Sequence, residues 1–87
     1  MKVHHVKSWV RFFTQTLARN KMFEIRLNDR NYQVGDFLHL AEWDEVKEKY
    51  TGRHLMVEIT YILGADMHCA ASPVAINKPY VVMGIAY

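Results

Sequence analysis

Apolar and polar residues change period several times along the chain, and each change marks an element. Residues 2–7, KVHHVK, alternate, with Val3 and His5 on one face and His4 and Val6 on the other, which predicts a short strand. Ser8 has the chemistry of a helix N-cap, a hydroxyl able to accept from a free amide of the first turn. From Trp9 to about Ala18 the period becomes helical. Trp9, Phe12, Phe13 and Leu17 fall on one side, and Arg11, Thr14, Gln15 and Arg19 on the other. The spacing predicts an amphipathic helix with those four apolar side chains in the core. Arg19-Asn20-Lys21 closes it, because cations suit the last turn and Asn tolerates a left-handed cap.

Alternation returns at residues 22–27, MFEIRL. Phe23, Ile25 and Leu27 share what reads as the core face, and Met22, Glu24 and Arg26 share the other. Asn28-Asp29-Arg30-Asn31 reads as a turn, since Asn and Asp satisfy their own backbone there. A third strand, Phe37 to Trp43, sets Phe37, His39 and Ala41 opposite Leu38, Leu40 and Glu42. The charged stretch from Asp44 to Gly52 predicts a hairpin loop. A fourth strand, from about Arg53 to Leu63, carries Leu55, Val57, Ile59 and Tyr61 on one side. Residues 64–79, punctuated by Gly64, Pro73 and Pro79, have no period and predict an irregular loop. The closing YVVMGIAY reads as a central strand. Strand, helix, then four strands predicts an α+β, mainly β fold built on a small barrel. A parallel α/β sheet would need a helix between each strand pair.

Composition narrows the setting. The 87 residues make a single domain, 1–87, and an apolar content of 51% excludes low-hydrophobicity disorder. No apolar run approaches the roughly 20 residues that a membrane span needs. Lys2, His4, His5 and Lys7 interrupt any signal-peptide core. The one cysteine, Cys69, points to a reducing cytoplasm and, beside His68, reads as a structural or surface thiol. The five histidines show no HxxxH or HExxH spacing, so neither a metal site nor a cofactor is expected.

The net charge of +2 is mild, but its distribution is not. Lys7, Arg11, Arg19, Lys21, Arg26 and Arg30 crowd the first third, opposed there by Glu24 and Asp29 alone. The densest chemistry lies between Asn20 and Asp36. Lys21 as a point charge, and Arg26 or Arg30 as a fork, suit a phosphate. Glu24 could accept from a base amino group. An exposed strand face laced with surface ion pairs accounts for the same pattern. Trp43, more than Tyr32 or Tyr50, is the candidate for stacking a base, unless it only packs at a strand end. His4 and His5 point to opposite faces, so at most one lines a cleft beside the basic strand.

The runs NKMFEIRLNDRNYQVGDFLHLAEWD, YTGRHLMVEITYIL and YVVMGIAY resemble small stand-alone ASCH (activating signal cointegrator homology) domains of phages and bacteria, members of the PUA-like superfamily. The likeness covers most of the chain apart from residues 64–78. It implies a PUA-like small β-barrel of five or six strands with one or two helices, and a cleft between helix and sheet. It also implies that Lys21, Glu24 and Arg26 line that cleft, with Asn28, Asp29 and Arg30 at its rim. RNA binding is the usual proposal for such domains, and some relatives are amidohydrolases acting on acetylated cytidine. Those relatives carry a Thr nucleophile where this chain has Glu24, and the Gly that commonly precedes the motif Lys is here Asn20.

Three expectations follow. The first is an RNA- or modified-nucleotide-binding module whose candidate residues are Lys21, Glu24, Arg26, Asn28, Asp29, Arg30, His5 and Trp43. The second is a nucleoside-derivative hydrolase with Glu24 as base and Lys21 as its electrostatic partner, the two candidate catalytic residues. The third is an accessory factor docking on a host protein through residues 64–79 and the acidic loop 42–48. Cytoplasmic location, no membrane partner, and a monomer or weak homodimer complete the expectation.

Overall fold

The protein is described by a computed structural model covering residues 1–64 and 79–87. His68, Cys69 and most of the segment expected to be an irregular loop lie outside the described residues. The elements are β1 (Val3–Trp9), α1 (Val10–Leu17), β2 (Phe23–Leu27), β3 (Phe37–Asp44), β4 (Lys49–Leu63) and β5 (Tyr80–Ala86). All five strands form one sheet in the order β1-β3-β4-β5-β2. β1 runs parallel to β3, and every other neighbouring pair is antiparallel. The sheet curls into a half-barrel with α1 packed on β1 and β3. The mainly β architecture predicted from the sequence is thus present.

Alternation explains the core. Leu38 and Leu40 of β3, Val57 and Ile59 of β4, and Val81, Met83 and Ile85 of β5 turn inward. Val6, Phe13 and Tyr32 complete the cluster. Each large side chain so buried contributes about 1.5–3 kcal/mol. A turn at residues 33–36 pins β1 to this core. Gly35 takes the left-handed φ of +94° that the turn needs. Asp36 accepts from His4 Nε2 at 2.9 Å and from the Lys2 amide at 3.0 Å.

The structure corrects several local expectations. Ser8 is the last inward residue of β1 rather than a cap, and Trp9 takes the N-cap position with no side-chain hydrogen bond. On α1 only Phe13 and Thr16 are buried, whereas Trp9, Phe12 and Leu17 remain about two-fifths exposed. A two-turn helix touches the sheet along one line, so one i,i+3 pair fills the contact. Arg19, not Asn20, adopts the left-handed conformation after the helix, and its guanidinium donates to the Tyr87 carbonyl at 2.9 Å. The hairpin loop expected over 44–52 shrinks to residues 45–48, because β4 already begins at Lys49. A register shift between Ile59 and Tyr61 turns Tyr61 outward and lets Ile62 pack on the core. Tyr32 is a buried core residue, edge-on to the His4 ring, and so is not free to stack a base.

The largest correction concerns β2. Its apolar residues Phe23, Ile25 and Leu27 are exposed, and its polar residue Glu24 is buried. The strand is turned over relative to the hydrophobic expectation.

Candidate functional site

The curl of the sheet brings its two outer strands, β1 and β2, to face each other across a seam. The Phe37 amide donates to the Lys2 carbonyl at 2.8 Å, so even-numbered backbone groups of β1 serve β3. Parallel alternation then aims those of His5 and Lys7 at the seam. Opposite, the Ile85 amide donates to the Met22 carbonyl, and the Asn28 amide to the Pro79 carbonyl. Even-numbered positions along β2 therefore serve β5, and Phe23, Ile25 and Leu27 present their backbone to the seam. Arginine side chains cross it. Arg26 Nη2 donates to the Lys7 carbonyl and Arg30 Nη1 to the His5 carbonyl, each at 2.6 Å.

Inside the seam the inverted face of β2 gathers three charges. Glu24 Oε1 accepts from Arg26 Nε at 3.0 Å, and Glu24 Oε2 accepts from Lys21 Nζ. Lys21 also donates to the Phe23 carbonyl at 2.8 Å. The Glu24 side chain is 5% exposed, against 18% for Lys21 and 25% for Arg26. This gradient explains the inversion. A carboxylate with both oxygens engaged by cations tolerates burial, while its partners keep part of their hydration.

These groups open into a cleft of about 480 Å³. Trp9, Phe12, Phe23 and Ile25 give it apolar walls, and Lys7, Lys21 and Arg26 line it with positive charge. The Trp9 and Phe12 rings lie 18° from parallel with centroids 6.2 Å apart. Ser8 also lines the cleft, and its buried Oγ has no hydrogen-bond partner among the described residues. The arrangement offers flat apolar surface beside cations, and a polar atom with unused hydrogen-bonding capacity.

The remaining predicted residues separate. Arg30 and His5 border a second depression further along the seam. Asn28 is taken up by its own turn, its Oδ1 accepting from the Tyr32 amide at 3.3 Å. Asp29 lines a shallow hollow with Arg30 and Tyr80. Trp43 is half-buried outside the cleft, edge-on to Tyr50 at 4.9 Å, with Lys7 Nζ 3.8 Å above its ring. Trp9, Phe12 and Phe23, read from the sequence as core, are the aromatics that do line the cleft. Their signal was an excess: α1 carries more large apolar residues than two turns can bury.

Other polar groups have structural partners. The imidazole of His4 and the Lys2 amide hold the Asp36 carboxyl below its ordinary range, the His4 hydrogen bond being the larger cause. Glu42 is likewise held low, chiefly by the fork of Arg53, with Nε at 2.9 Å and Nη2 at 2.7 Å. On the outer face His5 Nδ1 lies 3.0 Å from His39 Nδ1, with the His54 ring beyond. Burial, then the charges of His5 and His54, depress the pKa of His39. Among the described residues no three His, Cys, Asp or Glu side chains converge as a metal site. No described helix is long and apolar enough to cross a membrane.

Two comparisons with known proteins bear on this geometry. An uncharacterized 12.9 kDa protein from the GpA 3′ region of Escherichia phage P2 is 42% identical over 59 residues. The match covers 68% of this chain and 52% of that relative's length. A family model, described as a domain of unknown function (DUF3850), matches residues 3–85, and so takes in both edges of the seam. The chain belongs to the DUF3850 family.

Proposed function

We propose that this domain binds RNA or a modified nucleotide, with the cleft between β1, α1 and β2 as its site. The observation that carries the reading is the gathering of Lys21, Glu24 and Arg26 in a concavity beside half-exposed Trp9 and Phe12. Cations held beside aromatic faces match the two parts of a nucleotide, since phosphate takes the charges and a base stacks at about 1–3 kcal/mol. Glu24 orients the two cations, and its carboxylate leaves them with a net positive charge. The resemblance to ASCH domains of the PUA-like superfamily supports the same reading through the same three residues.

The hydrolase reading draws less support. A general base must come within hydrogen-bond reach of its substrate's proton, and Glu24 is 5% exposed with each oxygen turned to a cation. The docking reading depends in part on residues 65–78, which lie outside the described structure.

The test is binding of short RNA over a range of salt concentrations. Lys21→Ala and Arg26→Ala are each expected to weaken binding and to lower the salt slope by about 0.7, the value for one contact on a single strand. Binding indifferent to salt and to both substitutions refutes the assignment.

A further inference from the structure

The cleft adjoins a second depression on the seam. The second, of about 380 Å³, is lined by His5, Val6, Lys7, Arg26, Arg30, Ala41 and Tyr50. Lys7 and Arg26 belong to both. The two therefore run on from one another along β1, the first beside Trp9, Ser8 and Lys7, the second beside Lys7, Val6 and His5. The four steps of strand from Trp9 to His5 span roughly 13 Å at about 3.3 Å each.

The two hollows differ in character. The first is walled by aromatic and aliphatic side chains, and its one carboxylate, Glu24, is neutralised. Among the described residues no carboxylate lines the second. Among the described residues neither Lys7 nor Arg30 has a carboxylate within ion-pair distance. One N–H of Arg30 goes to the His5 carbonyl, and a guanidinium has five to give. Lys7 is held over the Trp43 ring and points no charge at an anionic neighbour. Exposed Tyr50 borders it from β4. One end thus suits the flat, uncharged part of a nucleotide, and the other suits phosphate.

We propose that the seam takes a single strand of at least two linked nucleotides, with one base in the aromatic cleft and the next phosphate between Lys7, Arg26 and Arg30. This rests on the nucleotide-binding reading and adds the class of ligand. A stacked strand advances about 3.4 Å per nucleotide, so the 13 Å track is filled by about four nucleotides, or by fewer when extended. A free nucleotide occupies the first hollow and leaves the cations of the second uncompensated. A duplex keeps its bases paired and cannot place one between α1 and β2.

The experiment compares a mononucleotide, a dinucleotide and a tetranucleotide of one sequence, read by the fluorescence of Trp9 and Trp43 at fixed low salt. The tetranucleotide is expected to bind at least tenfold more tightly than the mononucleotide. Arg30→Gln is expected to cut that ratio at least fivefold, whereas Lys21→Ala weakens all three ligands alike. Tyr50→Leu, at the exposed β4 border of the second hollow, serves as a second variant with the same expected loss of ratio should Arg30→Gln disturb folding. Equal affinity at every length, with Lys21→Ala still weakening the mononucleotide, overturns the two-hollow track and leaves the cleft reading standing. Failure of every length to bind removes both.

Discussion

Replacing Glu24 with Gln isolates the charge at the centre of the site while keeping its shape. In the folded protein this carboxylate is 5% exposed and accepts from two cations. A hydrogen bond to a charged group contributes about 1.5–3 kcal/mol, and a neutral one about half as much. Gln retains at most one acceptor, so the change weakens one bond and loses the other. Full loss of a buried partner costs about 3–5 kcal/mol when the remaining charge is sealed from water. Here Lys21 and Arg26 keep about a fifth to a quarter of their exposure and rehydrate in part. A destabilisation of about 2 kcal/mol is expected, which for a domain of this size lowers Tm by about 8–16 °C. The assay is urea unfolding at pH 7, repeated in 0.5 M salt. The loss should persist in high salt, because a buried pair is poorly screened. A Glu24→Gln protein as stable as the parent, or a difference that vanishes in salt, shows that the triplet is a surface ion pair and that the inverted β2 does not depend on it.

Phe13→Ala, at a residue 1% exposed in the contact between α1 and the sheet, should cost about 3–5 kcal/mol by urea unfolding. Thr16→Val removes a buried hydroxyl that has no partner among the described residues, and should leave stability within about 1 kcal/mol or raise it. His39 has a depressed pKa, so the unfolded chain takes up its proton first as the pH falls. Stability should therefore decline from about pH 6.5 downward until the folded-state value is passed, and His39→Gln should flatten that limb of a pH–stability curve. Asp36 and Glu42 act in the same sense at lower pH, their pKa values also being lowered. Their stabilisation is complete above the ordinary carboxylate range and is lost as pH falls through their folded values, which an acid titration followed by circular dichroism reads directly.

The order of the elements and most of the core are legible in the sequence because β3, β5 and β4 as far as Ile59 alternate regularly. Leu38 and Leu40, Val57 and Ile59, and Val81, Met83 and Ile85 face inward as alternation requires. The spacing of Lys21, Glu24 and Arg26 marks the candidate site, yet the structure buries the face that hydrophobicity puts outside. Hydrophobicity alone puts Phe23 and Ile25 inside. What reverses it is the pairing of Glu24 with Lys21 and Arg26 on the side of β2 that turns into a seam formed with a strand distant in the chain. The aromatics of the cleft were misplaced for a related reason. A helical period shows that Trp9, Phe12 and Phe13 share a side, but not that a two-turn helix buries only Phe13 and Thr16. The pairing of Arg26 and Arg30 with carbonyls of β1 left no trace in the pattern, because it depends on how far the sheet curls.

The most direct test of the seam as a binding site is amide chemical-shift mapping with a short single-stranded RNA. Perturbations should cluster at Lys7, Ser8, Trp9, Lys21, Glu24 and Arg26, and shrink as salt rises. Shifts confined to β3 and β4 on the outer face, or none at millimolar RNA, would contradict it.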